Sequence, residues 1–226
     1  MKAVILYTIE ADKGKCDRIA TKEPDWEVVT HHVSFEKEDS LCKPDTESKP
    51  SPVYLRLSRE TLVFIATQAT SKVDCFVWLG HARPGALSAA DSSFALKEKQ
   101  PSYISLSDVL QCIYQLDPTI VNFHACNFGQ LAGKRSDPAH EDQHGGPYWT
   151  ADAPTWLANW CAHLYDDENR LVINASKTTA MTTITKGTWF TNSCLDRHLV
   201  VQGGGGGDKV TEVKFYEVNK YFKVAQ

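Results

Sequence analysis

Two stretches of the chain end an apolar run in a side chain able to do chemistry. Thr119-Ile-Val-Asn-Phe-His-Ala-Cys-Asn-Phe-Gly129 leads straight into Cys126 and meets a glycine three residues later. Asp74-Cys-Phe-Val-Trp-Leu-Gly-His-Ala-Arg-Pro-Gly85 ends its apolar run at His81 and then breaks. A thiol and an imidazole at two strand ends make a nucleophile and its acid/base. Peptide cleavage through cysteine needs a thiolate, a group that protonates the leaving amine, and donors for the oxyanion. A helix amino end and a neighbouring imidazolium both lower a thiol pKa, and backbone amides in a tight turn supply oxyanion donors.

The elements that must hold these residues follow from hydrophobic periodicity. Ala3–Thr8 is a continuous apolar run, as expected of a strand covered on both faces. A polar connection then runs to Pro24-Asp25, and Trp26–Val33 is β-branched and aromatic enough for a second strand. Residues 36–52 hold charges, three prolines and serines, and read as a surface loop. Ser58 caps a helix to about Ala69, with Leu62, Ile65, Ala66 and Ala69 at helical spacing. Cys75–Leu79 is the third strand, and Arg83–Gln100 reads as irregular. Ser105-Leu-Ser-Asp108 predicts a capping box for a helix carrying Leu106, Val109, Leu110, Ile113 and Leu116 on one face, stopped by Asp117-Pro118. Ile120–Ala125 is the fourth strand. A tryptophan-rich helix over Thr155–Tyr165 reads as core packing, and Arg170–Ala175 as a fifth strand. Shorter β-like pieces lie around Trp189, Val200 and Val210–Val218. Gly203–Gly207 lacks the Gly-Lys-Ser/Thr ending of a phosphate loop and reads as a flexible connection. Strands alternating with helices imply an α/β domain with a mainly parallel sheet and helices on both faces, whose working residues collect at the carboxyl ends of strands.

Composition agrees with one such domain over residues 1–226. The 226 residues are 42% hydrophobic and 23% charged, with a net charge of −4. No basic stripe points to nucleic acid and no polybasic segment to a membrane. The first apolar run is too short for a signal peptide or a spanning helix. The 7 cysteines are dispersed without a CxxC, which points to reduced thiols and a cytoplasmic setting. The acceptor-like Asn174-Ala-Ser176 is discounted for want of a secretory signal.

Gly80-His81-Ala-Arg-Pro-Gly85 and Asn122-Phe-His-Ala-Cys126-Asn-Phe-Gly129 together resemble the paired motifs of caspase-like (clan CD) cysteine peptidases. The segment Ile104–Gly129 is especially similar to the CHAT branch, whose second motif is an apolar strand, Ser-Ala-Cys, a polar residue and Gly. His81 and Cys126 stand 45 positions apart, against about 50 in caspases. The similarity covers roughly residues 62–133, with a weaker echo through Arg170–Ala175. It implies the caspase-like three-layer fold, Cys126 as nucleophile, His81 as acid/base, and the backbone amides of Ala82 and Cys126 as the oxyanion hole. The family usually has Gly where this chain has Ala82. The residue two before the cysteine helps form the S1 pocket there: Gln in caspases, which prefer Asp, and Asp in metacaspases, which prefer basic residues. His124 fits neither pattern. His124 and Ser176 are the expected pocket-lining residues, with no P1 preference assigned. Residues 134–152 match the segment that caspases cut or rearrange on activation, with Lys134-Arg135 and Asp137 as conceivable cut sites.

The expected function is therefore a cysteine endopeptidase acting on a protein or peptide substrate, with no cofactor, no metal, and an activating partner or small ligand left open. Two alternatives stand beside it. One is a catalytically inactive caspase-fold module that binds a partner, since a cysteine at a strand end is usually structural. The other is a zinc peptidase through His140-Glu141-Asp-Gln-His144, with Glu168 or His163 as a third ligand. Pro138 and Gly145-Gly-Pro147 argue against the helix this second alternative needs.

Overall fold

The computed structural model describes residues 1–37, 53–83, 86–89, 102–125, 128, 170–175, 190, 197–202 and 214–217. Strand β1, Lys2–Tyr7, is followed by a short 3-10 turn, Glu10–Asp12, and helix α1, Lys13–Lys22. Strands β2 (Glu27–His32), β3 (Phe35–Lys37) and β4 (Val53–Leu57) lead to helix α2, Arg59–Gln68. Strands β5 (Cys75–Leu79), β6 (His81–Arg83), β7 (Ala86–Ser88) and β8 (Ser102–Ile104) precede helix α3, Leu106–Leu116. Strands β9 (Ile120–His124), β10 (Arg170–Ala175), β11 (Arg197–Gln202) and β12 (Lys214–Glu217) complete the described elements.

The result is a mixed α/β protein built on a mainly parallel sheet. Its larger sheet runs β12-β11-β10-β9-β5-β1-β2, parallel from β10 to β2 and antiparallel through β11 and β12. β1 and β5 sit inside the sheet with every residue buried, as their unbroken apolar runs require of strands covered on both faces. Alternation sends Val4, Leu6, Phe76, Trp78, Val121 and Phe123 to one face, where they pack with Ile65 of α2 and Val109, Leu110 and Ile113 of α3. The opposite face takes Ala3, Ile5, Tyr7, Cys75, Val77 and Leu79, which meet Cys16 and Ile19 of α1 together with Trp26 and Phe190. A smaller sheet, ordered β3-β4-β8-β7-β6, joins the first face through Leu55, Leu57, Leu87 and Ile104. Among the described residues no helix is long and apolar enough to cross a membrane.

Several expectations hold in detail. Ser58 caps α2, its hydroxyl accepting from the Thr61 amide at 3.2 Å. α3 buries Val109, Leu110, Ile113 and Leu116 and stops at Asp117, which adopts a left-handed φ of 46° before Pro118. Four features differ from the expectation. The polar connection after β1 contains α1, whose apolar face is only Cys16 and Ile19, too thin a stripe to register as a periodic pattern. β3 runs from Phe35 into the segment read as a 36–52 loop, and β4 and β8 were not anticipated at all; strands of 3 to 5 residues are too short to show an alternation. Arg83–Gln100 is not wholly irregular, since β6 and β7 pair antiparallel with His81 facing Ser88 and Arg83 facing Ala86. The expected helix Thr155–Tyr165 and the loops at 134–152 and 203–207 lie outside the described residues.

The fourth difference concerns Asp108. Ser105 does stand at the N-cap of α3, but its hydroxyl makes no capping bond and instead meets Ser107 Oγ at 2.7 Å. Asp108 turns away from the helix end. Its carboxylate accepts from the Leu57 amide (2.8 Å) and from Arg56 Nε (2.8 and 2.9 Å), with Arg56 Nη2 at 2.7 Å. An ionised acceptor at 2% exposure gains more from these donors than from a terminal amide of its own helix. The carboxylate therefore ties α3 to β4. Asp108→Ala is expected to destabilise the protein by about 2–3 kcal/mol, chiefly by leaving the Leu57 amide unsatisfied, because the half-exposed Arg56 can be rehydrated. Asp108→Asn, which keeps one acceptor, should lose less. Urea unfolding of the two variants beside the parent chain measures the difference.

Candidate functional site at the carboxyl edge of the sheet

Backbone pairing brings four strand ends level. Tyr7 of β1 faces His32 of β2 and Leu79 of β5, and Leu79 faces His124 of β9. The row His32–Tyr7–Leu79–His124 is the carboxyl edge of the parallel sheet, the usual place for a site in such folds. Two backbone bonds extend the row by one residue. The Thr8 amide donates to Leu79 O (3.1 Å) and the Gly80 amide donates to His124 O (3.2 Å).

His81 comes next after Gly80. It is exposed and opens β6, where the chain leaves the large sheet for the small one. Ala82, half-buried against the core, faces Leu87. β6 is the last strand of the smaller sheet among the described residues.

The pairing of β5 with β9 has one constant offset. Cys75 faces Ile120, Val77 faces Asn122 and Leu79 faces His124, each 45 positions on. His81 and Cys126 differ by the same number in the sequence. β10 pairs with β9 in parallel, with Ala175, its last residue, facing Phe123. Cys126 and Ser176 themselves lie outside the described residues, as do His140, Glu141 and His144, His163 and Glu168. Of the expected site, the structure describes His81, Ala82 and His124. It places the first two on β6 of the smaller sheet and the third at the end of β9, which pairs with β5 in the larger sheet.

His124 is 3% exposed, and burial pulls its imidazole down to a pKa of about 3. At neutral pH it is uncharged. The described thiols are equally muted as nucleophiles. Burial, with Asp12 and Asp17 adding to it, pushes Cys16 up to about 12; burial and Asp108 push Cys112 to about 12; and burial drives Cys75 well above its ordinary value. Cys75 Sγ also receives Asn122 Nδ2 at 3.7 Å across the β5–β9 pair. Cys16, Cys75 and Cys112 are thus core residues; Cys42, Cys161 and Cys194 lie outside the described residues. No group of three or more His, Cys, Asp or Glu among the described residues is arranged to hold a metal ion.

The edge carries further groups that the motifs did not single out. His32 Nδ1 lies 3.2 Å from Glu10 Oε2, and its ring stacks on Tyr7 with centroids 5.1 Å apart. His31 stacks on Phe64 at 4.4 Å, and its Nε2 lies 3.2 Å from Thr61 Oγ1. Thr8 is 4% exposed and seats its hydroxyl where a side chain on Gly80 would have to go. The signal available for these residues was position alone: each stands at or just beyond the end of an apolar strand.

The chain matches no family model, no curated protein and no solved structure.

The buried imidazoles set an acid sensitivity. An unfolded histidine titrates near pH 6.5, whereas His124 in the fold waits until about 3. Below about pH 6.5 the unfolded chain therefore binds a proton that the folded chain does not, and stability falls with pH at up to about 1.4 kcal/mol per pH unit. His31, lowered mainly by burial, acts with the same sign. The urea midpoint of the parent chain should drop from pH 7 to pH 5 by more than that of His124→Asn. Equal drops would assign the acid sensitivity elsewhere.

Proposed function

We propose that the chain is a caspase-like cysteine endopeptidase, with Cys126 as nucleophile and His81 as acid/base, acting on a peptide bond of a protein substrate. The observation that carries this function is the shared offset. The β5–β9 register advances by 45 residues, and so do His81 and Cys126 in the sequence, each two positions past a facing pair of strand ends. Neighbouring strands run about 4.8 Å apart, a spacing that an imidazole and a thiol can bridge. The parallel sheet with helices on both faces and the turn out of the sheet at Gly80-His81 support the same conclusion.

The chemistry divides simply between the two side chains. His81, as imidazolium, stabilises the Cys126 thiolate. The thiolate sulfur attacks the scissile carbonyl carbon, and the carbonyl electron pair moves to oxygen, where the amides of Ala82 and Cys126 donate to it. Collapse breaks the C–N bond as the imidazolium gives its proton to the leaving amine, leaving a thioester. The now neutral imidazole takes a proton from water, whose hydroxyl displaces the thiolate and releases the acid. Proton and electron balance close without a cofactor.

Cys126→Ala should reduce cleavage of an unbiased peptide library to background, and His81→Ala should lower it by about 10²–10⁴-fold. His81 is exposed, so the melting temperature of its variant should stay close to that of the parent. Full activity in either folded variant would overturn the dyad. A thiol-reactive peptide probe gives a second measure: it should label Cys126 in the native protein while the buried Cys16, Cys75 and Cys112 stay unmodified. Labelling of Cys126 no faster than of those three would favour a binding module over an enzyme.

A further inference from the structure

The turn between β5 and β6 is built around a close contact. Gly80 stands between the last residue of β5 and His81, and its amide donates to His124 O at 3.2 Å. A Cβ on Gly80 would overlap Thr8 Oγ1 and lie 3.4 Å from both Thr8 Cβ and Cγ2. The Thr8 oxygen thus occupies the direction in which any other residue at position 80 would place its side chain, in the manner of a Cα–H···O contact. Thr8 has little freedom to give way. Its side chain is β-branched and so confined at χ1, it is 4% exposed, and its own amide is held by Leu79 O at 3.1 Å. Backbone on one side and side chain on the other therefore clamp residues 79–80 from the end of β1.

We infer that Thr8 is the positioning residue for His81: its hydroxyl fills the side-chain space of Gly80 and fixes the backbone from which the imidazole projects. The same clamp sets the level of the Gly80 amide against His124 O, and hence the height of the turn relative to the end of β9. This role rests on the Cys126–His81 pairing proposed above, because the pairing is what gives the exact placement of His81 a chemical consequence. Thr8 touches neither substrate nor reacting atoms; it acts through Gly80.

Size complementarity provides the test. The reporter is the pH profile of iodoacetamide alkylation at Cys126 in the full-length chain, read by peptide mass spectrometry, with Cys75 as a control for an intact core. Gly80→Ala should displace the turn and slow alkylation of Cys126 at pH 7 by about tenfold, equivalent to a thiolate pKa higher by about one unit. Thr8→Ala in the same chain removes the overlapping oxygen, and the double variant Thr8→Ala/Gly80→Ala should recover to within about threefold of the parent rate. Equal slowing in the single and double Gly80 variants would overturn the role of Thr8, as would an unchanged rate in Gly80→Ala. If Gly80→Ala does not fold, Thr8→Val and Thr8→Ser decide. Valine puts a methyl where the oxygen sits and should slow the reaction, serine keeps the oxygen and should not, and identical rates for the two would refute the inference. His81→Ala separates the two levels. A profile for His81→Ala identical to the parent would refute the dyad itself, whereas a slowed His81→Ala beside unaffected Thr8 variants would refute only the positioning.

Discussion

The ladder that holds β1, β5 and β9 level at their carboxyl ends is the constraint on which the rest depends. Parallel strands have no hairpin to set their register, so the level of each end comes from the backbone bonds and from side chains that alternate between two cores. Here those bonds continue one residue past the strands, through the Thr8 amide to Leu79 O and the Gly80 amide to His124 O. A slip of one residue in β5 would exchange Cys75, Val77 and Leu79 with Phe76 and Trp78 between the faces. It would also carry His81 to the wrong level. The same apolar alternation that buries the sheet therefore fixes where the imidazole begins.

Among the described residues, the two faces of the sheet are covered by different elements. One receives α2, α3 and the smaller sheet, tied together by the Asp108 carboxylate reaching across to Arg56 and Leu57. The other is covered, among the described residues, by the thin stripe of α1 with Trp26 and Phe190, whose rings meet at 4.7 Å. The first of these faces lies on the side where the chain leaves β5 for β6, since Leu87 of β7 and Ile104 of β8 belong to that core. His124, at the end of β9, is buried and uncharged. The exposed polar pair Glu10–His32 lies further along the edge, at the end of β2.

Legibility in the sequence tracked the length and purity of each apolar pattern. Cys75–Leu79 and Arg170–Ala175 are found as read, and β1, β2 and β9 differ from their expected bounds by a residue or two, because continuous or β-branched runs leave few alternatives. α1 was illegible because two buried apolar residues, Cys16 and Ile19, suffice when the partner is an apolar sheet face. β3, β7 and β8, of 3 residues each, carry no period at all and exist because neighbouring backbone satisfies them. Asp108 shows the same limit for a single side chain. Local spacing matched a capping box, but a guanidinium and an amide from a segment 50 residues earlier outcompeted the local amide.

What the sequence determined by itself was the central strands of the larger sheet: the apolar runs that lead to His81, through His124 and to just before Cys126, in a chain with enough apolar residues for an α/β core. Those features are local, since each is set by side chains within a few positions of one another. Strand order already pointed to β5 and β9 as neighbours; tertiary structure alone decided that their register has an offset of 45, that His124 is buried and neutral, and that Thr8 occupies the side-chain space of Gly80. Each of these is a relation between segments far apart in the chain. No residue type announces it, because register, burial and close approach arise only when the strands are brought together and their backbone groups must all be paired.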